Sequence, residues 1–442
     1  MVDDDRSWLE RLGLGRPELR AWALYDWANS VFMTIMVLVF PIYFIQIAAA
    51  DLPPVVATAR IAFATAAAMT ITAVLSPILG AMADHAGIKK RMLALCLGVG
   101  AVSTAALYLV GRGEWVLGAA LFMVGNIGVS GSIVFYESLL PHIAGPDEVD
   151  RVSMAGYAAG YLGGGLPLIA ALVAIQNPDL FRIPDAATAM RLSFVATAVW
   201  WVVFSIPLFR TVPEPPRAPH GADEAGRNLL AAAFTRLRRT LRELRRYRQA
   251  FLFLLAFLLY NDGVNTIIRM ASAYGTEIGI PRGSLIAAFV MIQFVGIPFA
   301  FLFGAVAGRI GAKRAIFITL AVYLVIAVWG YYLETTFQFF VLGFLVGMVQ
   351  GGAQGLGRSL FSTMIPRQRS SEFFAFFSVF EKFAGIFGPA IFGVMALATG
   401  SSRNAILSLI FFFVAGGALL AFVDVEAGQR AAREAEAEAA GG

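Results

Sequence analysis

Asp26, Asn29 and Ser30 stand at i, i+3 and i+4 at the start of a long apolar run, so an acid, an amide and a hydroxyl share one helix face. An acid is expensive to keep in a hydrophobic segment and marks either a site or a paired charge. The arrangement returns as Asp262, Asn265 and Thr266, with a tyrosine just ahead of each copy, Tyr25 and Tyr260. Arg269 extends the second copy by one more turn. Such a stripe suits a solute carrying both an ammonium and a carboxylate, and its acids could carry protons. The competing reading is an internal Asp262–Arg269 pair, since buried charges need partners. Asp262 lies roughly 18 Å into its apolar run at the helical rise of about 1.5 Å per residue. Asp26 is near a membrane surface if its helix starts at Trp22. It is about 13 Å deep if the helix starts at Pro17, a favoured first helical position.

Further polar groups occur inside apolar runs. Gln350, Gln354 and Arg358 fall on one helical face, and Gln354 is a candidate to bond a solute. Glu137 ends an earlier run, and Arg358 holds roughly its place in the second half; the two read as a cytoplasmic gate. Glu381 and Lys382 are left between gate pairing and proton coupling. Trp27 and Tyr161 are the aromatic residues retained as cavity-lining candidates. Three His and one Cys are too few and too scattered for a zinc or haem site, so no metal or cofactor is expected. No zincin motif, nucleophile elbow or phosphate-binding loop is present, which argues against an enzyme.

These residues sit in a chain of 442 residues that is 59% hydrophobic and 14% charged. An ordinary soluble domain carries about 25% charge. The chain therefore reads as a polytopic all-α membrane protein. Twelve runs approach the roughly 20 apolar residues needed to span a bilayer: 21–48, 60–83, 92–111, 115–139, 153–175, 191–209, 250–273, 284–307, 315–333, 337–361, 373–398 and 404–424. Backbone in lipid must satisfy its own hydrogen bonds, so each is predicted to be a helix. Gly343, Gly347, Gly351 and Gly355 in run 10, and Gly156, Gly160 and Gly164 in run 5, predict stripes for close helix contact. Gly163-Gly164-Gly165-Leu166-Pro167 and Gly388-Pro389 are points where a helix can kink.

The longest connection divides the chain into a cytoplasmic N-terminus (1–20), six helices (21–209), a cytoplasmic linker (210–249), six helices (250–424) and a tail (425–442) expected to be a frayed helix or disordered. The linker begins Pro-rich and continues as an amphipathic, Arg-rich stretch suited to the anionic inner leaflet. Most Lys and Arg lie in the N-terminus, the linker and alternate connections, which predicts cytoplasmic termini. The basic residues are thus orientation signals, and nucleic acid is not an expected partner. Residues 1–20 are charged and the first apolar run is too long for a signal peptide. The Ala-, Gly- and Arg-rich composition fits a bacterial inner membrane.

Between runs 2 and 3 the chain reads Gly80-x-x-x-Asp84-x-x-Gly87-x-Lys89-Lys90-Arg91. A degenerate echo, Gly304 to Arg314, lies between runs 8 and 9 with Gly308 in place of the acid. Gly80 permits close packing, Gly87 a tight turn, and Asp84 a helix cap or an arginine pair. This pattern resembles the loop signature of the major facilitator superfamily. Trp22 to Ser30, Phe40-Pro41-Ile42-Tyr43-Phe44, Tyr260 to Val264, Arg358 to Phe361, Glu372-Phe373-Phe374 and Glu381-Lys382-Phe383 resemble one branch, the "unknown major facilitator" family. That family includes the fungal autophagy-related vacuolar amino-acid effluxers, and the likeness spans about 22–424. The resemblance implies twelve helices in two pseudo-symmetric six-helix bundles and secondary transport by alternating access, with amino-acid export in the fungal members. The chain lacks an Arg near the middle of run 4, where Gly125-Asn126-Ile127-Gly128 stands, which departs from many drug–proton antiporters of the superfamily. A multidrug exporter and a transporter-like sensor that moves nothing are the alternative readings.

Overall fold

The computed structural model describes residues 14–86, 88–144, 149–215, 247–366, 373, 377, 380, 381 and 383–441. Among them run thirteen α-helices: α1 Pro17–Tyr43, α2 Pro54–Ala86, α3 Lys89–Ala106, α4 Trp115–Ile143, α5 Val149–Gln176, α6 Ala186–Thr211, α7 Arg248–Glu277, α8 Arg282–Ile310, α9 Ala312–Tyr331, α10 Thr336–Ser362, α11 Phe387–Thr399, α12 Ser402–Ala421 and α13 Val425–Gly441. Among the described residues ten helices are long and apolar enough to cross a membrane, and the Arg282–Gly296 part of α8 and α11 (Phe387–Thr399) are shorter apolar stretches. The Arg-rich linker stretch lies outside the described residues, as do Gly87 and Lys382.

Local signals explain the helix starts. Pro17 occupies the first turn of α1, so the helix runs unbroken past Asp26, which lies about 13 Å in. Asp185 caps α6 by accepting the Thr188 N–H at 2.7 Å. Thr335 and Gln338 form a capping box at α10.

The chain forms two compact units, one of residues Met1–Asp51 and Val74–Leu229, the other of Leu52–Ala73 and Leu230–Gly442. In the first, α1 packs along α5 and α6, and α3 along α4. A Cβ on Gly128 of α4 would come within 2.5 Å of the Gly100 Cα on α3, so two glycines let these backbones touch. In the second, α7 packs on α12 and α8 on α10. This unit also takes the first half of α2: a Cβ on Gly393 of α11 would meet the Phe63 ring at 3.1 Å and the Ala59 carbonyl at 3.3 Å.

Two sequence expectations change, and the tail takes the helical form of its two expected alternatives. Run 11 is not one helix: Ala384, Gly385 and Ile386 form a turn, and α11 starts after it. Gly385 adopts φ +125°, a conformation that glycine tolerates and other residues resist. The glycine stripe of α10 is only half used. Gly343 and Gly347 pack on α8, Gly355 has open space, and Gly352 and Gly357 make the remaining close contacts, the latter against Tyr260 and Phe257. An i+4 stripe drifts around a 3.6-residue helix and leaves one contact face after two turns. The tail forms a helix, α13. Gly428 packs against Met364 and Gln249, Ala432 is buried, and the Gln249 side chain accepts the Asp424 N–H at 2.9 Å.

Candidate functional site

In the first unit the acid sits where three helices meet. Trp22 stacks on Tyr136 of α4, with ring centroids 4.4 Å apart, and its indole donates to the Tyr136 carbonyl at 3.1 Å. Asp26 is half-buried one turn later, with Asn29 and Tyr136 facing its carboxylate. Gly156 and Gly160 of α5 leave the space: a Cβ on Gly156 would lie 3.1 Å from Asp26 Oδ2, and one on Gly160 would lie 2.8 Å from Ser30 Oγ. Gly163 packs directly on the Trp27 backbone. Asp26 therefore meets side chains only, on a continuous helix against a continuous helix. Trp27 belongs to an aromatic cluster with Trp200 and Phe204 of α6. Tyr161 is 56% exposed on α5.

The second unit treats its acid differently. Asp262 is 1% exposed, and both carboxylate oxygens accept backbone N–H groups from the turn ahead of α11. Oδ1 accepts from Gly385 at 2.9 Å and from Gly388 at 3.0 Å, and Oδ2 accepts from Phe387 at 3.1 Å. A helix start leaves such N–H groups without intrahelical partners, and an anion there also complements the helix dipole. Asp262 thus caps α11 from another helix. Gly388 makes this possible, because a Cβ there would overlap Thr266 Oγ1 and lie 2.8 Å from Asp262 Oδ1.

Beside the cap lies an amide network. Asn265 donates to the Ala384 carbonyl at 3.0 Å, and Gln354 of α10 donates to Asn261 at 3.2 Å and to Asn265 at 3.4 Å. Asn261 is buried and its Nδ2 has no hydrogen-bond partner. Asn261 was not singled out from sequence, although it neighbours Asp262 in the same motif. Arg269 is half-buried two turns beyond Asp262, in the field of that carboxylate. No direct Asp262–Arg269 ion pair forms among the described residues, and Arg269 makes no hydrogen bond there. The acid instead gives its oxygens to the α11 amides.

The loop signature has a definite job in part. Lys90 Nζ donates to the Phe209 carbonyl at 3.0 Å and to the Val212 carbonyl, at the C-terminal end of α6. The Lys90 N–H donates to Glu214 at 3.0 and 3.2 Å. In the second unit Lys313 Nζ donates to the Ala421 carbonyl at 2.9 Å and the Val423 carbonyl at 2.7 Å, at the end of α12. A cation at a helix C-terminus opposes the negative end of its dipole. Lys89 is buried near His142, with Nζ–Nε2 3.2 Å, and Arg91 is exposed. Gly80 and Asp84 lie within the last turns of α2. Arg358 meets Glu381 at 3.4 Å in a half-exposed ion pair. Glu137 is exposed near the end of α4.

Two units of apolar helices, each with an acid and an Asn on one face of a long helix, have the architecture of the major facilitator fold. A family model described as "Vacuole effluxer Atg22 like" matches residues 54–150 and 146–433. The chain belongs to that family. It is 37% identical over 412 residues to the "Uncharacterized MFS-type transporter YxiO" of Bacillus subtilis (strain 168), covering 92% of this chain and 94% of that one. It is 28% identical over 312 residues to "Autophagy-related protein 22-1" of Neosartorya fischeri, covering 65% of this chain and 50% of that one. In fold it matches the crystal structure of a bacterial homolog to the human lysosomal transporter Spinster in an inward-facing and occupied conformation. There the TM-score is 0.69 at 15% identity, covering 92% of this chain and 97% of that one. The chain is a multi-pass membrane transporter of the major facilitator type and not an enzyme.

Proposed function

We propose that this transporter moves a small zwitterionic solute, with amino acids the first class to test, by alternating access. The observation that carries the reading is Arg269. A half-buried guanidinium in a membrane-spanning helix makes no hydrogen bond or ion pair among the described residues. A buried charge requires a partner, and a solute carboxylate supplies one. The Asn261, Asn265 and Gln354 amides one to two turns away suit the neutral polar parts of such a solute. Asp26, whose carboxylate meets side chains rather than helix amides, is the group assigned to a transported proton. The family's description as vacuole effluxer supports export as the direction. The basic loops support cytoplasmic termini in a bacterial inner membrane, with the linker on its anionic leaflet and no nucleic-acid partner.

The test is thermal unfolding of the purified protein in detergent against leucine, arginine, glutamate, dialanine, xylose and tetraphenylphosphonium. A ligand at a hundred times its dissociation constant stabilises by about 2.7 kcal/mol. A shift with one amino-acid class, lost in Arg269→Gln, is the expected result. A shift with tetraphenylphosphonium alone replaces this reading with a lipophilic-cation exporter. No shift with any amino acid or dialanine overturns the zwitterion assignment.

A further inference from the structure

We propose that Asp262 is a positioning residue: its carboxylate latches residues 387–399 as a separate short helix and thereby sets the seat that this helix offers to α2. The latch begins at the turn Ala384–Ile386. Gly385 at φ +125° takes the chain out of the helix, and the amides of Gly385, Phe387 and Gly388 lose their place in a backbone ladder. In lipid surroundings no water replaces those partners, so the break persists only if protein supplies acceptors. Asp262 supplies all three.

The consequences run in two directions from the latch. Toward the amide network, Asn265 holds the Ala384 carbonyl at 3.0 Å, and Gln354 holds Asn265. The turn is thus gripped on its carbonyl side as well as on its amide side. Toward α2, the latched helix carries Gly393, whose missing Cβ admits the Phe63 ring and the Ala59 carbonyl. Phe63 can sit there only while α11 keeps its rotation about its axis, because a turn of one residue (about 100°) would bring Phe392 or Val394 into that place. Asp262 fixes that rotation, since three amides at 2.9 to 3.1 Å leave little angular freedom. The polar centre of the second unit and the first half of α2 are therefore mechanically linked through one carboxylate.

This link does not depend on the identity of the solute, and its test needs none. Amide hydrogen exchange by mass spectrometry on the full-length protein in detergent reports residues 384–392 and 55–66 directly. Asp262→Ala removes every acceptor. We expect exchange across 384–392 to rise at least tenfold, with a smaller rise across 55–66 and little change in α3, α4 and α9. Asp262→Asn keeps Oδ1, which already serves Gly385 and Gly388, so it should restore most of the protection. A general loss of stability would not be rescued in this way and would not spare distant helices. If Asp262→Ala yields no folded protein, Gly388→Ala carries the test: it retains the carboxylate but crowds it away from the amides, and should reproduce the same local rise. Wild-type protection in Asp262→Ala or Gly388→Ala overturns the latch. Equal loss of protection in Asp262→Asn and Asp262→Ala overturns it as well, by showing that charge and not acceptor geometry holds the segment.

Discussion

The α1–α5 pair and the α7–α11 pair start from the same pattern and end differently. Each first helix offers Tyr, Asp, Asn and a hydroxyl in the same order. In each pair a partner glycine lies against the hydroxyl and the acid: Gly160 against Ser30 and Asp26, and Gly388 against Thr266 and Asp262. The difference is on the partner helix. α5 continues through this point as an unbroken helix, and its backbone amides are paired within it. Asp26 then has only side chains to address and stays half-buried. The partner of α7 breaks at Ala384–Ile386, and its freed amides claim the acid completely. The same carboxylate thus faces side chains in one unit and caps a helix in the other. What a side chain does was decided by the hydrogen-bonding state of the backbone it faces.

Removing each acid in turn and measuring unfolding in detergent should separate the two sites most widely. A buried N–H left without an acceptor costs about 1–3 kcal/mol. Asp262→Ala should therefore cost about 3 kcal/mol or more, while Asp26→Asn should stay within about 0.5 kcal/mol. Equal destabilisation at both sites would mean that the two acids play one role after all.

The next test is packing. Gly163→Val drives a branched side chain into the Trp27 backbone and should cost about 2–3 kcal/mol, whereas Gly165→Ala faces open space and should be neutral. A small effect at Gly163 would show that α5 can yield, and that its continuity is not what separates the units.

Lys90 and Lys313 provide a point where the units agree. Removing either, as Lys90→Met or Lys313→Met, should cost about 1 kcal/mol through the lost helix C-terminal contact, with the two effects adding in the double variant. The smallest effect expected is at α10. Gly355→Ala should stay within about 0.5 kcal/mol, while Gly357→Ala, pressed by Tyr260 and Phe257, should destabilise measurably.

Individual residues show how far the sequence could be read. Asp26 and Asp262 were recognisable because charge in an apolar run is anomalous wherever the chain folds. The depth of Asp26 followed once α1 was seen to start at Pro17, one of the two starts that the sequence allowed. Lys90 and Lys313 were visible as loop charges, but their acceptors were not, since the ends of α6 and α12 lie more than a hundred residues further along the chain. The echo of the loop signature pairs Lys313 with Lys89 by spacing from glycine. The helix starts instead pair it with Lys90, because Ile88 and Gly311 are the N-caps of α3 and α9. Asn261 passed unnoticed because an amide beside an acid carries no spacing signal of its own.

The sequence by itself determined the apolar helices and their repeat, and its motifs carried the family resemblance that implied a transporter. Helices and repeat follow from hydrophobic length, from backbone self-satisfaction in lipid and from motif spacing, all of which act along the chain. Only the tertiary structure decided that run 11 breaks, that Asp262 is consumed by the break, that Arg269 is not paired with it, and that the first half of α2 packs with the second unit. Each of those outcomes is a choice among competing partners brought together from distant segments, and local pattern carries no information about which partner wins.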